Sequence, residues 1–475
     1  MILGIAALLT CLFSVPLVAA RHRRTRLPGD MLSPDRVASV FHLVTIVPYL
    51  VLVSVDESVV NPLVRFSPYV GDLDKAVAWY AVVQGLGFVA LMLGIRFRPA
   101  SRLAARLPVI ATGFRPARCR AAIITALVVA GLGFALFLSQ VGGFQTLMLN
   151  LEKRTTLTAG AGYVLALLNL LFFAIVILVY SMRVDRTPFK WLALAVLILC
   201  SAAVFSSLGG RKSTLLIFIS VLFAWHYGVR PIRRIRMLHV VLALSLLPYF
   251  VLMPILRERG GVAYYSANPG ELPGEIGKNM RAAITDLSYV DTFVFVTSYF
   301  RSDNVWHGAT YLDLLKAPVP SSIDPAKPPI DDGVYVRTLA EGVRAEPGMP
   351  FSALVYSSWP PETLGTAFMN FWLPGVIVEM FLLGALYRLT YIYMLRSGRT
   401  LYSILVYAHV VVSFHLSNLR IVQASVYLTM TTLFFGVFFG FRRRRERIEP
   451  ARQRRRHQSL DRVPETAWIA NRAVG

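Results

Sequence analysis

The run AGYVLALLNLLFFAIVILVYSM, residues 161–182, carries no charged side chain, and Arg183, Arg186 and Lys190 follow it within eight residues. As a helix it would be about 33 Å long, enough to cross a hydrocarbon core of about 30 Å. It is apolar all round rather than along one stripe, so lipid or protein must cover every face. Ten further windows of this kind lie near 2–20, 37–55, 76–95, 121–141, 191–208, 212–228, 237–256, 363–387, 401–417 and 422–441. The chain has 475 residues, 56% hydrophobic and 16% charged, with a mean hydropathy of +0.58. A soluble domain carries about 25% charge. The fold class is therefore expected to be all-α: a polytopic integral membrane protein of about eleven transmembrane helices.

Cysteine usage narrows the classes further. Cys11, Cys119 and Cys200 are too few and too scattered for a disulfide framework, and no Cys/His cluster has zinc spacing. Disulfide-rich, zinc-ribbon and disordered classes are excluded, and neither a metal nor a cofactor is expected. The first window ends in Val18-Ala19-Ala20, which resembles a cleavage site. No positive residue precedes it, however, and Arg21, Arg23, Arg24 and Arg26 follow, the reverse of a signal peptide's polarity. It reads as a retained first helix.

The net charge of +23 resembles a nucleic-acid signature until it is placed along the chain. With residues 21–36 put in the cytoplasm and sides alternated from there, the cytoplasmic segments hold 33 of the 49 Lys and Arg. The short outer loops hold 7, and the 257–362 segment holds 9 basic against 13 acidic residues. Such a bias is the positive-inside rule. It places the N-terminus outside and the C-terminus in the cytoplasm. The arginines of 442–475, including Arg442–Arg445, read as topology anchors on a flexible basic tail beside anionic headgroups, so membrane lipids, not nucleic acid, are the expected partners. The stretch LSYVDTFVFVTSYF (287–300) is apolar, but about 14 residues fall short of a span, and Asp291 interrupts it. It is taken as a non-spanning part of an extracytoplasmic connection, 257–362, between the eighth and ninth helices. The spanning domain is thus 1–441.

Chemistry is expected on that outer face. A connection this long is functional or disordered, and PVPSSIDPAKPPIDDG (318–333) has the look of a substrate-handling lid. Arg154, Arg211, Arg257, Arg259 and Arg420 all fall at outer helix ends or loops, where the topology rule disfavours positive charge. A guanidinium grips phosphate through two parallel hydrogen bonds, which suits a diphosphate leaving group. The bland reading is that each snorkels to headgroups or pairs with an acid. Outer proton acceptors are Glu258, Asp303 and His307, with Asp56, Glu57, Asp72 and Asp74 in the first outer loop. Glu379 lies inside the ninth window and must face protein or water. It reads equally as functional or as a hydrogen-bonded packing residue.

Four stretches then resemble one family. They are VGGFQTLMLNLEKRTTLTAGAGYVLALLNLL (141–171), SSLGGRKSTLLIF (206–218), HGATYLDLL with PVPSSIDPAKPP (307–329), and MPFSALVYSSWPPETLGTAFMNFWLPGVIVEMFLLGALYRLTY (349–391). In this order they resemble the Wzy-type O-antigen polymerases, the oligosaccharide repeat unit polymerases, over most of 141–391. The chain departs from that pattern at Pro320-Ser321, where Pro-Arg is frequent, at Trp372, where glycine is usual, and at Glu379, in a normally apolar stretch. The resemblance implies a bundle related to the C-type glycosyltransferases that joins undecaprenyl-diphosphate-linked oligosaccharides at the outer face of the bacterial inner membrane. Arg154, Arg211, Arg257, Arg259 and Arg420 would hold the diphosphate, and Glu258 or His307 would accept the acceptor hydroxyl's proton. A polysaccharide chain-length regulator is the protein partner implied. Three alternatives stand beside it. A transferase using polyprenyl-phosphate sugars would employ the first-loop acids, an O-antigen ligase would share donor and topology, and a lipid-linked-sugar flippase would need polar groups along its lumen.

Overall fold

The computed structural model describes residues 1–19, 30–107, 110–112, 116–151, 157, 161–208, 211–232, 237, 247–256, 261–276, 279, 288–319 and 323–443. Its principal helices are α1 (Ile2–Ala19), α2 (Pro34–Val55), α3 (Leu73–Arg96), α4 (Pro116–Val141), α5 (Gly162–Ser181), α6 (Pro188–Ser207) and α7 (Arg211–Ala224). They continue with α8 (Leu247–Leu256), α9 (Val290–Tyr299), α10 (Gly333–Ala340), α11 (Glu362–Arg396), α12 (Leu401–Ser413) and α13 (Asn418–Phe439). Among the described residues, seven helices are long and apolar enough to cross a membrane: α2, α3, α4, α5, α6, α11 and α13. Helices α1 and α12, and α7 with the π-helical turn that follows it, are apolar but shorter. Helix α8 is the described part of the 237–256 window. The protein is a helical, membrane-embedded chain, with one small departure from all-α. Strands β1 (Ile110–Thr112) and β2 (Phe441–Arg443) form an antiparallel pair.

Side-chain size decides how the helices meet. Helix α4 buries Cys119, Ala122, Ala126, Ala130 and Gly133 along one face while Ile124, Leu132 and Leu136 lie exposed. Lipid is as apolar as leucine, so helices associate where small residues let backbones approach. The closest approach is α3 against α11. A Cβ on Gly94 would lie 2.1 Å from the Phe381 carbonyl oxygen, and one on Gly384 2.1 Å from that of Leu91.

Helix α11 does not run straight. Trp372 adopts φ 52° and ψ −146°, just before Leu373-Pro374. Pro374 lacks an N–H, and its ring disfavours helical geometry at the residue before it. The chain doubles back there. A Cβ on Gly375 would lie 2.5 Å from the Ala367 carbonyl oxygen, whereas residues eight apart in a helix are separated by about 12 Å. Leu364 and Val376, twelve residues apart, both reach Gly87 of α3, at 3.1 and 3.3 Å. Residues 362–371 thus form a half-helix folded against the start of 373–396. The continuous window read at 363–387 is corrected accordingly: its first third folds back against the rest.

Polar contacts sort the segments into two faces. At one, Asp30 accepts from Tyr391 (2.6 Å), Tyr227 (3.1 Å) and His226 Nε2 (3.1 Å), and Tyr407 donates to the Leu32 carbonyl (2.6 Å). Ile232 N donates to His226 Nδ1 (3.1 Å), which leaves the Nε2 proton for Asp30. Arg388 binds Ser101, and Arg396 the Ala104 carbonyl, on the same side as the β1–β2 pair. At the other face, Tyr49 and the Asn61 N–H hold Asp291 of α9, and Tyr69 packs on Tyr299. Each of these contacts joins segments that the charge alternation assigns to one side. Helix α9 is ten residues long, and its Phe293 stacks on Tyr80 of α3.

Candidate functional site

The connection before α11 is folded into the helices and not laid over them. Its two anchors are the turn at 306–313 and the segment 331–333. Trp306 N donates to the Met369 carbonyl (2.9 Å), a group in the last turn before the break. His307 and Gly308 follow with φ of 49° and 84°. Only glycine fits at 308, because a Cβ would press 2.8 Å from the Phe371 ring. His307 is exposed beside the broken end of the half-helix.

Behind this turn lies a buried polar cluster that joins four elements. Asn370 Nδ2 donates to Thr310 Oγ1 (2.7 Å) and to the Thr366 carbonyl (2.9 Å). Asn418 Nδ2 donates to the Thr310 carbonyl (2.5 Å), and Asn418 N to Asp332 Oδ2 (3.2 Å). Thr366 Oγ1 donates to the same carboxylate oxygen (3.4 Å). Burial pushes Asp332 up to about 8; the Asn418 N–H opposes this, and Asp331 and Asp313 add to it. Burial also raises Asp331, although the Gly333 N–H donates to it at 3.0 Å. Gly333 admits the Ser358-Trp359 backbone so closely that a Cβ would lie 2.6 Å from the Trp359 carbonyl carbon.

Arg420 and Glu362 close the cluster. Arg420 Nη2 and Nε donate to Glu362 Oε1 and Oε2 at 2.7 and 3.2 Å, and His415 Nε2 lies 3.6 Å from Glu362. The side chains are 11% and 6% exposed, so this is a buried, two-pronged ion pair. Glu362 also has positive φ, 48°. Tyr311 donates to both Glu379 oxygens (2.8 and 2.7 Å) and to the Leu416 carbonyl (3.3 Å). Glu379 therefore sits in a hydrogen-bonded packing role.

The expected site residues divide as follows. Arg154, Arg257, Glu258 and Arg259 lie outside the described residues. Arg211 opens α7, with its side chain outside the description. Thr214, one turn further, meets Tyr249 of α8 at 2.9 Å, and Tyr249 meets Ser206 of α6 at 2.9 Å. Helix α8 ends at Leu256, the residue before Arg257 in sequence, so the start of α7 and the body of α8 are bonded neighbours. Arg420 is committed to Glu362, and His307 stands apart from that pair on its own turn. Two first-loop acids are helix caps. Asp56 accepts from Ser58 N (3.0 Å) and Asp72 from Lys75 N (3.2 Å).

Sequence reading passed over Asp331, Asp332, Glu362, Asn370 and Asn418. One signal was available: adjacent aspartates, Asp331-Asp332, preceding the apolar-rich helix α10. Nothing in the spacing pairs them with residues 30 to 90 positions away. Compared with protein-family models, curated proteins and solved structures, the chain matches none.

Proposed function

We propose that this protein is an oligosaccharide repeat unit polymerase of eleven spans. It would transfer a glycan from undecaprenyl diphosphate to a second lipid-linked unit at the outer face of a bacterial inner membrane. One observation carries the reading: the long acidic connection is built into the helix bundle, on the face that the charge rule assigns to the periplasm. There it supports an exposed histidine on strained backbone over a broken helix. Basic helix ends on the same face supply the other half of the chemistry. The diphosphate departs without protonation when cations hold it, and Arg211, Arg257, Arg259 and Arg154 take that role. His307 or Glu258 accepts the proton of the attacking hydroxyl. Glycosyl transfer passes through an oxocarbenium-like state. Arg420 enters this scheme with Glu362 as its counter-ion.

The test is polymer length in a null strain complemented with variants, read beside protein abundance in the membrane. Arg211→Lys and Arg257→Lys keep charge but lose the planar fork, and should shorten the polymer while protein levels hold. Removal of one contact should cost on the order of 2–4 kcal/mol of transition-state stabilisation. Full-length polymer from Arg211→Ala and Arg257→Ala would overturn the assignment. The break at Trp372 favours a second reading, since discontinuous helices mark substrate and ion sites in transporters. A flippase null would hold its lipid-linked units on the cytoplasmic leaflet, and a polymerase null would hold single units outside.

A further inference from the structure

The cluster around Thr310 has more acceptors than donors. Asn370 and Asn418 are fully buried and Asp332 is 1% exposed. Each asparagine Nδ2 donates to a backbone carbonyl, of Thr366 or Thr310. A carbonyl only accepts, so neither carboxamide can be turned over. Their Oδ1 atoms, and Oδ1 of Asp332, have no hydrogen-bond partner among the described residues. A buried acceptor left unpaired costs about 1–3 kcal/mol. The three belong to one hydrogen-bonded cluster, in which a shared positive partner would satisfy them together. The Arg420 guanidinium is bound to Glu362.

The backbone adds to the negative potential. Asn370 lies in the last turn of the half-helix 362–371, whose carbonyl end carries the negative pole of the helix dipole. Asp331 and Asp313 reinforce it. Broken helices that end inside a membrane protein hold Na⁺ or protons in this manner.

We propose that Asp332, Asn370 and Asn418 bind one monovalent hard cation of the sodium class, through one carboxylate and two carboxamide oxygens. Oxygen donors suit hard cations. The three ligating groups carry a single formal negative charge, which one Na⁺ neutralises. The site belongs to the fold and does not depend on the transfer reaction. Its failure would leave the polymerase reading intact, and the reverse holds too.

The experiment uses the full-length protein in lipid nanodiscs, with NaCl titrated against choline chloride at constant ionic strength. Binding of ²²Na⁺ and the melting midpoint are both read. Wild type should bind about one Na⁺ and gain a saturable shift on the order of a few degrees. Asp332→Asn should lose both responses. Its new N–H offers a donor to the neighbouring oxygens, so in choline this variant should melt no lower than wild type. Absence of displaceable ²²Na⁺ in the wild type overturns the proposal whatever the variant does. So does a sodium response that persists in Asp332→Asn. A midpoint that follows pH but not Na⁺ would assign the occupant as a proton on Asp332 and likewise overturn the cation.

Discussion

Removing Arg420 tests whether that side chain is first a structural ion or a free ligand group. Its guanidinium makes two charge-assisted hydrogen bonds to Glu362, at 2.7 and 3.2 Å, and a third to Gln423 at 2.9 Å. Truncation to alanine takes the two-pronged partner from the buried Glu362 carboxylate, 6% exposed, and leaves His415 Nε2 at 3.6 Å. Breaking one side of a buried pair costs about 3–5 kcal/mol, chiefly from the charge left behind. Glu362→Gln leaves the converse charge but keeps a hydrogen-bonding oxygen, so its cost should be smaller, about 1–3 kcal/mol. The double variant Arg420→Met with Glu362→Gln strands neither ion and should recover a large part of the Arg420→Ala loss. The assay is the midpoint of heat-induced loss of monodisperse protein in detergent, with membrane abundance measured alongside. Arg420→Ala should melt several degrees lower and accumulate poorly, unlike Arg211→Ala. An unchanged midpoint for Arg420→Ala would refute the reasoning and return Arg420 to the diphosphate.

Other perturbations address separate parts of the molecule. Gly94→Val or Gly384→Val should force α3 and α11 apart, cost about 1–3 kcal/mol or more of stability and lower the midpoint, whereas Gly131→Ala, with nothing within 4 Å of its Cβ, should be neutral. Asp332 is raised to about 8 in the folded protein against 3.8 for an ordinary aspartate. The folded state therefore binds this proton more tightly. The stability it contributes is complete below about pH 4 and is lost as pH rises through about 8. In sodium-free buffer the midpoint should fall over that window, and Asp332→Asn should flatten the fall; equal slopes in both proteins would contradict it. Cysteine placed at Ser322 should react with an impermeant thiol reagent in intact spheroplasts and cysteine at Ser459 should not. Labelling of the latter alone would invert the topology.

The spans were legible because a hydrocarbon core imposes length and apolarity on each segment independently of its neighbours. Which segment ends share a face was legible for a similar reason, since every Lys or Arg responds to the membrane separately. Residues 161–182 and the arginines after them illustrate both, and contacts such as Asp30–His226 and Asn418–Asp332 agree with the sides assigned. The start of the ninth window was not legible. Pro374 marked a weak point, but reversal at Trp372 depends on Gly375 and Gly87 receiving the folded half-helix. The polar cluster was still less visible: Thr310, Asp332, Asn370 and Asn418 span 108 positions and share no periodicity. Arg420 was read as an outward cation because sequence shows its charge and the charge rule gives it an expected side. Its partner, Glu362, is 58 positions away. Hydropathy is a one-dimensional property that each segment carries alone, whereas a buried hydrogen bond or ion pair exists only when two distant segments fold to within 3 Å of each other.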